Sequence, residues 1–286
     1  MSGAKVRVAP LYTEENAEYW PAIYCDLSYT LANRFSTIFA PQFLYGNHLV
    51  DTYLSLPETI LHTPIKDREL EIFYSAKDMN TVREILSHYD GNFYALNFGG
   101  DDGRKRYPPE NYAKIVKKIV AEDSDAKFFI LGEEFDRQFL DVFKNNLDEK
   151  FIEEHLIDLI GQLTYRQSGV ILKFCKMYIG NDTGTMHLAA AAKCPVLVTF
   201  PFPADLKNTK WDGVKMYYPY RVPNVVVQPE KTLPECKNSD IYSPHGCKSF
   251  NVPHCITQVS PEKIFEGFKL LQERIEKNIT EPLYIC

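Results

Sequence analysis

The chain has 286 residues, a mass of 33.0 kDa and a hydrophobic content of 45%, enough for one large domain or two small domains with real cores. A formal net charge of -6 and an isoelectric point near 5.7 argue against a broad nucleic-acid surface. No apolar run approaches the roughly 18 residues that a membrane span needs. The first ten residues lack the apolar core of a signal peptide, which predicts a cytoplasmic protein.

Residues 1–90 are aromatic-rich and only partly periodic, and they predict part of an α/β domain. The predicted elements are a strand over Lys5–Val8, a short helix over Gly46–Leu56, a strand over Glu71–Tyr74 and a helix over Asp78–Leu86 capped by Ser75. These elements are too few for a complete doubly wound domain, which usually has about five or more strands. The polar stretch 87–92 predicts a boundary, followed by a second domain over residues 93–275.

The second domain alternates strands with helices, which predicts an α/β fold with a parallel sheet. The predicted strands are Phe93–Phe98, Lys127–Leu131, Leu156–Ile160, Met177–Ile179, Val196–Phe200 and Asn224–Val227. Helices are predicted to begin at Pro109, after Glu134, at Tyr165, at Met186 and at Pro261. A charged turn is expected before Leu156, and a long loop over Pro201–Arg221. Ligands of such sheets bind at the carboxyl ends of the strands.

The loop after the strand Met177–Ile179 has the chemistry of an anion site. A helix N-terminus presents unpaired N–H groups and a partial positive charge. A small residue lets a ligand approach the backbone, hydroxyls donate, and a carboxylate accepts from sugar hydroxyls. The candidates are Asp182, Thr183, Gly184, Thr185 and His187. A well-capped core helix, in which these side chains only satisfy backbone groups, is the alternative for an isolated Asp-Thr-Gly string.

A basic cluster lies between the strand Phe93–Phe98 and the helix that begins at Pro109. It reads Arg104, Lys105, Arg106, Tyr107, Pro108 and follows a glycine-rich loop. A cation before a helix N-terminus is what diphosphate binding requires, with lysine acting as a mobile point charge. A solvated loop explains the cluster equally well.

Two further loops supply candidates. Glu133 and Glu134 follow the strand Lys127–Leu131, where a carboxylate can hold ribose hydroxyls. Capping of the next helix explains either glutamate equally well. Thr164 is predicted to cap the helix Tyr165–Phe174, and Leu163 precedes it.

Seven cysteines form an odd set that suits reduced thiols better than a disulfide framework. Cys236, Cys247 and Cys255 share a loop with His245 and His254. Their spacing matches no standard zinc knuckle, so no metal is expected there.

Several segments resemble glycosyltransferase family 9, the lipopolysaccharide heptosyltransferases. DTGTMHLAAAA, from Asp182, closely resembles the family's D-[ST]-G-x-M-H-L-A-A-A motif. The loop with Lys105 resembles its G-x-x-x-x-K-x-W-P segment, with Tyr107 in place of the tryptophan. GAKVRVAP and NHLVDTYLSL, which includes His48, Asp51 and Tyr53, resemble parts of the family's N-terminal domain. The family's S-S-[IL]-G-D loop, with its proposed catalytic aspartate, has no counterpart here, so the start is expected upstream or the chain is a natural truncation.

This resemblance implies a GT-B-like fold with a complete C-terminal Rossmann-like donor domain and a partial N-terminal acceptor-side domain. It implies inverting, metal-independent transfer of heptose or a related sugar from a nucleoside diphosphate donor, such as ADP-heptose, to a lipopolysaccharide core or another glycan. No cofactor is implied. A glycolipid acceptor would place the protein at the inner membrane surface. The alternative is a non-catalytic nucleotide-sugar-binding remnant of such an enzyme.

The resemblance also implies roles for the candidates. Lys105 and the backbone of residues 183–185 are expected on the diphosphate, Asp182 on the sugar hydroxyls, and His187 in support of the loop. Glu133 or Glu134 takes the ribose, and Thr164 lies near the base. The general base is expected from the N-terminal domain, and no residue is assigned to it.

Overall fold

A computed structural model describes residues 8–10, 38–40, 48–100, 103–206, 213–233 and 254–286. The chain divides into two compact units. The first comprises Met1–Arg68, Leu206–Tyr218 and Leu233–Val252, and the second comprises Glu69–Asp205, Pro219–Thr232 and Pro253–Cys286. Most of the strand predicted over Lys5–Val8 lies outside the described residues, and so do Cys236, His245 and Cys247.

In the first unit, two short parallel strands lie beside one helix. Strand β1 spans Val8–Pro10, strand β2 spans Ile38–Ala40, and helix α1 spans Leu49–Leu61. The Nδ1 of His48 accepts the N–H of Val50 and caps α1, while its Nε2 donates to the carbonyl of Tyr218 at 2.8 Å. His48 therefore serves as a structural cap of α1.

The second unit contains a seven-stranded sheet in which every strand pairing is parallel. Its strands are β3 (Asn92–Asn97), β4 (Ala126–Ile130), β5 (Leu156–Asp158), β6 (Met177–Asn181), β7 (Val196–Thr199), β8 (Asn224–Val227) and β9 (Leu283–Ile285). The order across the sheet is β5-β4-β3-β6-β7-β8-β9. The α/β fold predicted from the alternating elements is confirmed.

The helices predicted to begin at Pro109, Tyr165 and Pro261 do begin there, and eight α-helices follow α1 in the described residues. They are α2 (Ala76–Leu86), α3 (Pro109–Glu122), α4 (Arg137–Lys144), α5 (Glu149–His155), α6 (Tyr165–Leu172), α7 (Gly184–Ala191), α8 (Gly213–Tyr217, in the first unit) and α9 (Pro261–Glu276). Ser75 and Thr164 form capping boxes, and Ser260 caps α9, which has proline at its first position.

Some predicted elements differ from the structure. Glu71–Tyr74 belongs to no sheet; it is a segment whose Ile72 packs against Gly169 of α6. Ile72 therefore reflects packing on a helix rather than strand pairing, while Phe73 is exposed. The charged turn expected before Leu156 is helix α5, which Asp148 caps by accepting the N–H of Phe151 at 2.9 Å. The loop Pro201–Arg221 contains the helix α8, and β9 was not predicted.

Large aromatic and aliphatic residues fill the core on the face of the sheet that α3 and α9 cover. Tyr94 stacks on Phe128 with ring centroids 5.6 Å apart, and Phe268 of α9 approaches the same ring. The hydroxyl of Tyr94 donates to Asp123 at 2.9 Å, which satisfies the one polar atom of that ring. No helix among the described residues is long and apolar enough to cross a membrane.

The strand order reverses between β3 and β6, the two central strands. From β3 the chain continues to β4 on one side, and from β6 it continues to β7 on the other side. The loops that leave β3 and β6 therefore diverge and leave a crevice, which is where ligands bind in open parallel sheets. The candidate residues at the ends of these two strands lie at this switch point.

Gly180 in β6 is required by the close approach of the two central strands. A Cβ at this position would lie 2.4 Å from the backbone oxygen of Asn97. We expect Gly180→Ala to lower the free energy of unfolding by about 2 kcal/mol or more, because backbone atoms must move apart. Gly184→Ala is the matched control, since a Cβ there meets nothing within 4 Å. Urea unfolding followed by circular dichroism tests the pair, and equal midpoints would contradict the argument.

Candidate functional site

The side-chain amide of Asn181 joins three segments at the switch point. Its Oδ1 accepts the backbone N–H of Tyr107 at 3.2 Å and the hydroxyl of Tyr112 at 2.8 Å. Its Nδ2 donates to the carbonyl of Gly99 at 3.2 Å. Asn181 is fully buried, so these bonds are protected from water. The basic loop, the glycine loop and the end of β6 are thus held together.

Lys105 and Asp182 form an ion pair across this crevice. The Nζ of Lys105 donates to Oδ2 of Asp182 at 2.6 Å. The Asp182 side chain is only 3% exposed, while the Lys105 side chain is 34% exposed. The lysine therefore satisfies a buried carboxylate from one side, while about a third of its side chain is exposed. Two of its three N–H donors remain for a ligand.

The residues after Asp182 form an open helix N-terminus. Thr183 stands at the N-cap position of α7, and its hydroxyl lies 3.4 Å from both the Tyr178 hydroxyl and Oδ1 of Asn97. Gly184 is exposed, and Thr185 is half-buried. Because a Cβ on Gly184 would meet nothing within 4 Å, the space beside the first turn of α7 is open. Backbone N–H groups in this turn can reach an anion placed there.

His187 lies in the first turns of α7, beside the ion pair. Burial lowers the pKa of His187 below its usual value, the attraction of Asp182 opposes this, and the positive charge of Lys105 adds to the lowering. The ring is therefore neutral near pH 7. A neutral imidazole adds no second positive charge to the site, so the cation nearest the helix end is Lys105.

The loop after β4 divides its three acidic residues between different roles. Asp136 is buried, and its carboxylate accepts the backbone N–H groups of Gly100 and Glu133. Glu134 is exposed and pairs with Arg137 at 2.7 Å, which lowers the pKa of Glu134. Glu133 is exposed. Glu133 stands at the N-cap of the turn Glu134–Asp136 and forms a capping box with Asp136, whereas Glu134 is engaged by a cation.

Thr164 acts as a helix cap in the structure. Its Oγ1 accepts the N–H of Gln167 at 3.3 Å, and its own N–H donates to Oε1 of Gln167 at 2.9 Å. This is the capping role that its sequence position predicted. Its place beside a nucleotide base stays a prediction, as do the ligand roles of the other candidates.

Arg106 contributes to the shape of the basic loop through contacts within the protein. Its guanidinium lies 4.7 Å from the ring centroid of Phe139 and 5.5 Å from that of Phe135. Its Nε donates to the carbonyl of Gly100 at 2.6 Å. The adjacent Lys105 bonds to Asp182, so these two neighbouring cations have different partners.

Asn181 and Asp136 are the site residues that sequence reasoning missed. Asn181 is not among the sequence candidates, although its place at the end of an apolar strand is a signal for an anchoring amide. Asp136 follows two other acidic residues, which concealed it. The glycines at positions 99 and 132, each shortly beyond a strand, are a usable signal, because a side chain packed closely against the backbone needs glycine there.

Within the ranges that the structure describes, no group of three or more histidine, cysteine or acidic side chains is arranged to hold a metal ion. Cys175 and Cys194 are free and buried, and burial raises the pKa of both thiols. Raised thiol pKa values make these two cysteines poor nucleophiles.

The fold and the site define an α/β protein of the doubly wound type, with a cation and an open helix N-terminus at its switch point. The chain belongs to glycosyltransferase family 9 (heptosyltransferase), whose family model matches residues 35–241. The resemblance seen in the Asp182 motif is therefore confirmed at the level of the family.

Curated relatives are distant. Lipopolysaccharide heptosyltransferase 2 of Escherichia coli (strain K12) is 22% identical over 158 residues, which cover 54% of this chain and 42% of that protein. Lipooligosaccharide heptosyltransferase 2 of Haemophilus influenzae is 25% identical over 96 residues, 34% of this chain and 27% of that protein. The chain thus spans less than half the length of these relatives.

Solved structures share the fold. The glycosyl transferase family 9 protein from Veillonella parvula superposes with a TM-score of 0.66 at 16% identity, covering 86% of this chain and 65% of that chain. The Escherichia coli ADP-heptose lps heptosyltransferase II superposes with a TM-score of 0.59 at 17% sequence identity, covering 83% of this chain and 66% of that chain. The Escherichia coli heptosyltransferase WaaC with ADP superposes with a TM-score of 0.52 at 15% sequence identity, covering 87% of this chain and 62% of that chain.

We expect the Lys105–Asp182 pair to be coupled in stability. Lys105→Met leaves a buried carboxylate unpaired, so the free energy of unfolding should fall by about 1–2 kcal/mol, less than for a fully buried pair because the lysine is partly exposed. Asp182→Asn in the same chain should recover part of this loss. Urea unfolding of the wild type, both single variants and the double variant measures the coupling. Additive losses would show that the pair contributes nothing.

We expect the stability of the second unit to fall as the pH drops below about 6.5, the usual pKa of an unfolded histidine. The lowered pKa of His187 means that the unfolded chain binds a proton more readily than the folded chain in this range. His187→Gln should flatten this slope by up to about 1.4 kcal/mol per pH unit. The exposed His88, changed to Gln, is the control. An unchanged slope in His187→Gln would contradict this assignment.

Proposed function

We propose that the chain binds a nucleoside diphosphate sugar at the switch point and takes part in transfer of heptose, or a related sugar, to a glycan acceptor. Membership of glycosyltransferase family 9 supports the reaction class. The donor is proposed to be ADP-heptose-like because relatives are named as heptosyltransferases and one related structure holds ADP. The acceptor is proposed to be a lipopolysaccharide core or a similar glycan.

The observation that carries this proposal is the position of Lys105. Its ammonium is fixed by Asp182 beside an open helix N-terminus, at the edge of the sheet where ligands of doubly wound folds bind. A diphosphate there would receive N–H groups from the first turn of α7 and the two remaining donors of Lys105. Charge-assisted bonds of this kind are the strong ones in anion recognition.

The proposed chemistry is an inverting displacement. An acceptor hydroxyl attacks the anomeric carbon, the bond from that carbon to the diphosphate oxygen breaks, and the nucleoside diphosphate leaves with the electron pair. Lys105 and the α7 amides would stabilise the charge that develops on the leaving oxygen, because they are already in place before the reaction. The general base that takes the acceptor proton is proposed to come from the N-terminal domain of a GT-B arrangement.

Asp182 has two proposed roles that are compatible. Its Oδ2 accepts from Lys105, and because the side chain is only 3% exposed, a sugar hydroxyl would reach its second oxygen only after the carboxylate turns toward the crevice. Both ribose candidates already have contacts within the protein, since Glu134 pairs with Arg137 and Glu133 forms a capping box with Asp136. His187, neutral near pH 7, is proposed to support the α7 loop without adding charge.

We expect ADP to bind with micromolar affinity in isothermal titration calorimetry. Lys105→Ala should weaken ADP binding by about tenfold or more, because a charge-assisted contact to phosphate is lost. Asp182→Ala should weaken it as well, through release of the lysine. Lys114→Ala, on the exposed face of α3, removes the same charge away from the crevice and is the matched control. Absence of ADP binding, and of binding by other nucleoside diphosphates, would overturn the proposal.

Gly184→Ala gives an independent probe of the same pocket. Its Cβ has open space in the unliganded protein, so a loss of ADP affinity with unchanged stability would place the ligand against α7.

Release of ADP from ADP-heptose that depends on an added glycan acceptor distinguishes a transferase from the alternative, a protein that binds the donor without catalysis. The alternative predicts ADP binding that depends on Lys105 with no acceptor-dependent turnover.

A further inference from the structure

A buried carboxylate, Asp136, lies beneath the two glycine loops at the switch point. It stands between β4 and α4, and only 6% of its surface is exposed. Among the described residues its hydrogen-bond partners are two backbone N–H groups, and it forms no ion pair there. Burying a charge without a cation is costly, so we looked for what this carboxylate holds in position.

The carboxylate joins the loop after β3 to the loop after β4. Its Oδ1 accepts the N–H of Gly100 at 3.3 Å. Its Oδ2 accepts the N–H of Glu133 at 3.0 Å. Each oxygen therefore holds one strand end, and the separation of the two loops is set by a single side chain.

Two glycines give this carboxylate its space. A Cβ on Gly99 would lie 2.0 Å from Oδ1 of Asp136, and a Cβ on Gly132 would lie 2.8 Å from its Oδ2. Atoms cannot approach so closely, so any other residue at these positions would move the carboxylate or the backbone. The glycines at 99 and 132 and the aspartate at 136 therefore form one closely packed cluster.

The far side of this cluster faces the proposed donor site. The carbonyl of Gly99 accepts from Asn181, and the carbonyl of Gly100 accepts from Arg106, the neighbour of Lys105. Gly100 also adopts a φ of +128°, and a Cβ there would approach the Thr183 methyl at 3.0 Å. The backbone of residues 99–100 therefore lies between Asp136 on one side and Asn181, Arg106 and Thr183 on the other.

We propose that Asp136 is a positioning residue for the diphosphate of the donor, acting through the Gly99–Gly100 segment. The inference rests on the proposed function, since it assigns a role toward the same ligand. Asp136 does not touch the donor. It fixes the backbone against which Lys105 and Thr183 are placed, so its removal should weaken contacts to the phosphates more than contacts to the rest of the nucleotide.

The test compares ADP with AMP by calorimetry in the wild type and in Asp136→Asn. The asparagine keeps one acceptor oxygen but turns an NH2 group toward one of the two amides. We expect ADP affinity to fall about tenfold, the scale of one hydrogen bond to a charged group, and AMP affinity to fall by clearly less. Asp141→Asn, which removes the same charge from the exposed face of α4, should bind both nucleotides as the wild type does.

Stability is followed in parallel by urea unfolding, and binding is compared only between folded proteins. If Asp136→Asn does not fold, Asp136→Ser supplies the same comparison, since it withdraws the carboxylate without adding bulk between the glycines. Unchanged ADP affinity, or equal losses for ADP and AMP, would overturn the positioning role while ADP binding that depends on Lys105 keeps the proposed function. A wild type that binds no nucleotide would remove the proposed function and this inference together.

Discussion

The buried amide of Asn181 is the interaction on which the arrangement of the site depends. It sits at the last position of a central strand and uses both its oxygen and its nitrogen. An amide in this environment is worth more than one at the surface, because each lost bond would leave a buried polar group unsatisfied. The next residue, Asp182, inherits its position from this anchor. The basic loop that carries Lys105 is tied to the same anchor through Tyr107, so the two partners of the ion pair are placed by one side chain.

The charges of the site follow from unequal burial. Asp182 is almost completely enclosed and requires a cation, and Lys105 supplies it while remaining one-third exposed. Asp136 is enclosed as well, but its two backbone amides satisfy it without a cation. His187 is kept neutral mainly by burial. An anion entering the crevice therefore meets one positive side chain and the positive end of a helix, with both carboxylates already engaged.

Much of this could be predicted from the sequence because it is local. The strand Asn224–Val227 and the caps Ser75, Thr164 and Ser260 follow from short-range apolar and capping patterns. The segment Glu71–Tyr74 shows the limit of such patterns, since its Ile72 packs against a helix, its Phe73 is exposed, and the segment joins no sheet. Helix α5 was not predicted because it is short, charged and continuous with the next strand. The Lys105–Asp182 contact joins residues 77 positions apart, and no local pattern encodes such a pairing.

The pairing of β3 with β6 has a consequence for how the site comes into existence. Tyr94 lies opposite Met177 in this pairing, so the two walls of the crevice come from distant parts of the chain. Parallel strands with long connections assemble slowly, since the entropy of closing the loop is lost before any contact compensates for it. The crevice is therefore absent from partly folded chains that hold only one of its walls. A nucleotide that binds only the fully formed crevice would stabilise the folded chain by mass action. Nucleotide binding would therefore report that both strands of the crevice have folded.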